Sequence, residues 1–174
     1  KAHLNADHLI KHSLASEAIM RALARRLGHD EDLWGIAGLL HDLDFEETKE
    51  NPAIHGLKTA QILKENGLSD DLIEAVKRHN AEGLGLVRGS DFDHALAAAE
   101  TVTGLIVATA LVYPDKKLAS VRVGSLTKRM KKKDFARAVD RSVIVECEEL
   151  GLGVDEFLGI GLEAMQGIHE ELGL

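Results

Sequence analysis

Residues 9–28, LIKHSLASEAIMRALARRLG, and residues 34–48, WGIAGLLHDLDFEET, decide how this chain folds. In the first stretch Ile10, Leu14, Ile19, Leu23 and Leu27 recur every four or five residues, the repeat of one helix face. Gly28 is the kind of residue on which a helix stops, and Asn5 or Asp7 can cap its start, so the pattern predicts a helix over 7–27. In the second stretch Asp30 is a good cap. Leu33, Ile36, Ala37 and Leu40 then lead into the adjacent pair His41-Asp42.

Working outward, residues 43–52 are acidic and polar and read as a loop. Helices follow over 53–66, closed by Gly67, and from the cap Ser69 to His79. Three glycines make 81–89 a loop. A long helix is expected over 93–112, ended by Tyr113-Pro114. It is nearly all small or aliphatic, but Glu100, Thr101 and Thr103 interrupt it, which suits the central helix of a bundle better than a membrane span. A short helix over 127–132 and longer ones over 134–150 and 154–172 complete the chain. The expectation is an all-α bundle forming one domain over 1–174, with its core in 4–150 and a C-terminal helical extension.

Composition supports this. The chain has 174 residues, 45% of them hydrophobic and only 3% aromatic, so its core must be built from Leu, Ile, Val and Ala. Two prolines leave helices uninterrupted. Cys147 stands alone, which excludes an internal disulfide and suits a reducing cytoplasm. The net charge of −8 argues against a nucleic-acid polymer as partner. Residues 116–133, however, hold eight Lys or Arg and no acid. A small anionic substrate fits that asymmetry.

Nine histidines are many for this length. His12 leans to the core side of its helix with Ile19 and Leu23. His41 shares a helix face with Trp34 and Gly38, and His55 and His79 stand at the ends of short predicted helices. His3, His8, His29, His94 and His169 read as surface or structural. Glu100 has Leu96, Ala97, Gly104, Ala108 and Leu111 as helical neighbours. An ionised carboxylate on such a stripe is costly unless a cation faces it, either a Lys or Arg of the basic segment or a metal. Imidazoles with carboxylates suit Fe, Mn, Co, Ni or Zn.

These stretches, with HGLKTAQIL, VKRHN and ALAAAETVTGLIVA further on, resemble the HD superfamily in its small predicted-hydrolase branch, over about residues 4–150. The resemblance implies an all-α HD domain that hydrolyses a phosphate ester with a metal-activated water. It makes His12, His41, Asp42 and position 100 ligands of one metal, with Asp42 bridging to a second held by His55 and His79. The family usually has Asp where this chain has Glu100, so the carboxylate reaches further by one carbon–carbon bond. Asp44 or Glu46 would handle protons or orient water. Ser125, Lys128 and Arg129, at the start of a helix, would bind substrate phosphate with Lys116 and Lys117, while Lys131, Lys132 and Lys133 form a solvated face. The same ligand arrangement occurs in mixed-valent di-iron oxygenases, and a module that binds a phosphorylated ligand without catalysis is a further alternative.

Overall fold

The structure, a computed structural model, describes residues 4–174, so His3 lies outside the described residues. It is all-α, with no strand among those residues. Two long helices, α1 (Asp7–Leu27) and α7 (Asp91–Leu111), each run 21 residues, about 30 Å. Between them come α2 (Glu31–Leu40), α3 (Phe45–Thr48), α4 (Leu57–Glu65), α5 (Asp70–His79) and α6 (Ala81–Leu84). After α7 follow α8 (Val123–Met130), α9 (Arg141–Val145), α10 (Val154–Gly167) and α11 (His169–Leu172).

Helix α7 is the hub: α1, α2, α5, α8, α9 and α10 all pack on it. Leu96, Ala98, Val102, Leu105 and Ile106 are wholly buried along its length. It is long and apolar enough to cross a membrane, but 61% of its most apolar window is buried inside the protein, as befits a core helix. Ser90 and Asp93 close a reciprocal capping box at its start. The core is aliphatic, as composition required, and the C-terminal segment belongs to it: Phe157, Leu158 and Met165 are fully buried against α1 and α7.

Asp30 and Ser69 cap α2 and α5, and Gly28 ends α1 in the left-handed conformation. The start of α1 differs from expectation. Neither Asn5 nor Asp7 caps it; Glu46 reaches across and accepts from the backbone N–H groups of Asn5 and Ala6.

The loop 43–52 holds the one-turn helix α3, and the glycine-rich 81–89 holds α6. The helix expected over 53–66 begins only at Leu57, after a 3₁₀ turn at Pro52–Ile54. Helix α8 starts at Val123 rather than 127, and 154–172 divides into α10 and α11 at Ile168. The helix expected over 134–150 is instead a loop, then α9, then a 3₁₀ turn at Glu146–Leu150. Ala136 adopts a positive φ of 45°, which breaks the helix there, and the Arg141 guanidinium pins the loop by donating to the carbonyls of Phe135, Ala136 and Val139.

One close approach sets up the site. A Cβ on Gly38 would fall 2.7 Å from the carbonyl oxygen of Ser16, so only glycine lets α2 come this near to α1. His12 and His41 thereby meet Nε2 to Nε2, 3.1 Å apart.

Candidate metal centre

His41 ends α2 and is completely buried. Its Nδ1 lies 2.8 Å from the carbonyl of Gly38, which can only accept, so Nδ1 carries the hydrogen and Nε2 points inward with its lone pair. His79, at the end of α5, is held likewise by the carbonyl of Val76. His12 donates from Nδ1 to Thr103 Oγ1 at 3.0 Å, because the Thr103 hydroxyl spends its own hydrogen on the carbonyl of Glu100. His55 donates from Nδ1 to Asp44 Oδ1 at 2.9 Å. Four imidazoles from four parts of the chain thus turn Nε2 toward one point.

Asp42 stands at that point. Its Oδ2 is 3.6 Å from Nε2 of both His12 and His41, and its Oδ1 is 3.1 Å from His55 Nε2 and 3.5 Å from His79 Nε2. The donors form two triads, His12–His41–Asp42 and Asp42–His55–His79, each with its atoms within 4.8 Å of one another. Asp42 belongs to both. His12 Nε2 faces His41 Nε2 at 3.1 Å, and His55 Nε2 faces His79 Nε2 at 2.9 Å. Two lone pairs do not attract, so His12 and His41 need a cation or a proton between them. The donor set therefore fits divalent transition metals, with Nδ1 partners of the kind that orient ligating imidazoles.

The electrostatics agree. Burial pushes His41 down to about 3, leaving its Nε2 unprotonated at neutral pH. Burial also pushes Asp42 upward, but the imidazoles of His41, His55 and His79 outweigh it and hold the carboxylate well below its usual range. Burial would lower His55 too, yet Asp42 and Asp44 on its two sides raise it to about 9.

Glu100 borders the first triad without joining it. Its Oε2 lies 3.8 Å from His12 Nε2, its Oε1 accepts from the Thr101 hydroxyl, and burial pushes the carboxyl up against the pull of His12 and His79. No Lys or Arg side chain pairs with it among the described residues.

Other sequence-predicted residues stand elsewhere. Asp44 is buried behind His55, not in the opening. Its carboxylate accepts the backbone N–H groups of Gly56, Lys58 and Thr59, forming the missing cap of α4, and these bonds with His55 hold it below its usual range against the effect of burial. Glu46 is tied to the start of α1. The cavity over the cluster, about 450 Å³, is lined by none of Ser125, Lys128, Arg129, Lys116 and Lys117.

Because α8 begins at Val123, Lys128 and Arg129 occupy its last turn, the negative end of the dipole and the wrong one for an anion. Ser125 bonds Tyr113 Oη, and Arg129 lies over the ring of Phe135. Lys116 and Lys117 are exposed in the turn after α7, and Lys131 to Lys133 are exposed as expected. Of the remaining histidines, His29 stacks on Trp34, His94 bonds Glu146, and His8 and His169 are exposed.

Two residues escaped the sequence reading. Arg88, almost wholly buried, donates to the carbonyls of Arg78 and His79 and pairs with Glu82 and Glu146, locking the end of α5 that carries His79. Nothing in its glycine-rich surroundings marked it. Asn80 donates to the carbonyls of Pro52 and His55, tying the His55 turn to the same helix end.

Comparison with known families matches residues 9–111, more than half of the chain, to the HD domain. The chain belongs to the HD domain family. Every residue of the two triads and Glu100 fall inside the matched HD segment. A curated protein of Thermoplasma volcanium named tRNA (cytidine(56)-2'-O)-methyltransferase is 27% identical over 142 residues, which cover 78% of this HD chain and 40% of that protein. The HD chain therefore spans less than half of that relative's length. No solved structure matches.

Proposed function

We propose that this HD protein hydrolyses a phosphate ester with divalent cations held at the two triads. The observation that carries the reading is Asp42 shared between paired imidazoles whose inward Nε2 atoms lack hydrogen-bond partners other than each other and the two acids. His12, His41 and Asp42 would hold one ion, and Asp42, His55 and His79 the other.

Bound divalent cations supply Lewis acidity, acidifying a water and neutralising phosphoryl charge. The chain's own residues do the rest. Asp44, Thr103 and the carbonyls of Gly38 and Val76 fix the imidazoles, and Glu100 with its raised carboxyl sits beside His12 as a candidate proton carrier or further ligand. Among the described residues no Lys or Arg lines the cavity, so neutralising the phosphoryl charge would fall to bound cations. In the net reaction the oxygen of water bonds to phosphorus, the ester P–O bond breaks, and the alcohol leaves with a proton from that water.

The test is a screen of phosphomonoesters against protein stripped of metal and reconstituted with Mn or Co under anaerobic conditions. Phosphate release that requires the added ion supports the reading. Oxygen consumption by the iron-loaded protein, without phosphate release, would replace it with the di-iron oxygenase. A second reading, a module that binds a phosphorylated ligand without turnover, is favoured by the place of Glu100 outside both triads. Metal and ligand binding with neither reaction would select it.

A further inference from the structure

We propose that the substrate's phosphoryl group is joined to an apolar group of several carbons, which lies in a groove between α1 and α7; this rests on the phosphohydrolase reading. A second cavity of about 450 Å³ adjoins the one over the cluster, and the two share His12, Thr103 and Gly104. Beyond that shared edge the walls turn aliphatic, with Ala15, Val107, Ala108, Leu111 and Leu172.

The groove points away from the cluster along a single stripe of α7. Glu100, Gly104, Ala108 and Leu111 follow one another at helical spacing, so a molecule lying on them runs outward from the metal site. From Gly104 to Leu111 the helix rises about 10 Å, room for a chain of several carbons. Gly104 puts no side chain across the junction. A Cβ there would press on Val139 at 2.9 Å.

Charge selects the same occupant. Besides the proposed ligands the cluster's cavity carries Glu82, Glu100 and Asp140 and, among the described residues, no Lys or Arg, so further phosphates find no partner there. Among the described residues the groove's one Lys or Arg is Lys11, which is paired with Asp7. Leu111 is 49% exposed, an aliphatic surface left for the substrate to cover.

The experiment is calorimetric titration of the metal-reconstituted protein with n-alkylphosphonates from methyl to hexyl, which keep the anionic head but have no ester to cleave. Affinity should rise about fourfold per buried methylene, the worth of a CH₂ group taken from water. Leu111→Asp, at an exposed position that tolerates the change, and Ala108→Phe, which fills the groove, should each cut the hexyl-to-methyl preference at least tenfold. Equal affinity along the series, or a preference untouched by both variants, overturns the proposal. Phosphate release from the matching alkyl phosphates separates the two readings. Release without chain-length dependence removes the groove and keeps the phosphohydrolase. Chain-dependent phosphonate binding without release keeps the groove and removes the phosphohydrolase.

Discussion

Asp44 Oδ1 accepts the Nδ1–H of His55 at 2.9 Å, and the same carboxylate accepts three backbone N–H groups at the start of α4. One buried acid therefore sets both the tautomer of a metal-facing imidazole and the beginning of a helix. Asp44→Asn keeps the volume but aims an amide N–H₂ at donors. We expect metal affinity to fall about 10–100-fold, the usual consequence of losing a ligand's outer partner. Stability should fall by about 1–3 kcal/mol from donors left unpaired. Metal titration and urea denaturation of the same variant check both.

The metal-free protein should lose stability as pH rises. His55 goes from 6.5 unfolded to about 9 folded because Asp42 and Asp44 hold its charged form. A raised folded value means that the stabilisation is complete below pH 6.5 and disappears as pH climbs through about 9. Metal must displace the same proton, so metal affinity should increase over that window. Melting curves with chelator, and metal titrations, from pH 6 to 10 would show opposite trends.

Arg88 should matter for folding more than its sequence context suggests. Arg88→Met leaves the carbonyl of His79 without its donor, takes one of two donors from the carbonyl of Arg78, and leaves Glu146 without its guanidinium. Water can solvate the partly exposed Glu82 and Glu146 once the guanidinium is gone, so the loss is that of an unpaired buried carbonyl, about 1–3 kcal/mol. Urea denaturation measures the loss, and a cost under 1 kcal/mol on the same scale would contradict the account.

The basic segment should prove indifferent to catalysis. Lys116 and Lys128 are exposed and outside the cluster's cavity. The double change Lys116→Ala, Lys128→Ala should leave KM for a phosphorylated substrate within about twofold, a scale set by the weak, screened pull of distant surface charges. A tenfold rise would return these residues to the site.

Much of this was legible from local rules. Gly28, Asp30 and Ser69 punctuate helices as their chemistry dictates, and the apolar run around Val102 and Ile106 made α7 the core. The resemblance brought together His12, His41, Asp42, His55 and His79, which lie together in space. What stayed hidden depends on contacts between distant residues. Asp44 looks like an open-site acid until Gly56, Lys58 and Thr59 turn their N–H groups onto it. Glu46 looks like its neighbour until Asn5 and Ala6 are seen at its carboxylate. Lys128 and Arg129 suit an anion only in a helix that begins at 127, and α8 begins at Val123. Four residues of shift move them from the positive end of the helix to the negative one.

Asp42 belongs to both triads, and ion counting tests the consequence of that sharing most directly. After reconstitution, elemental analysis should find two ions per wild-type chain, one in His12→Ala, one in His55→Ala, and none retained in Asp42→Asn. An Asp42→Asn protein that is folded and still carries the wild-type complement would contradict it.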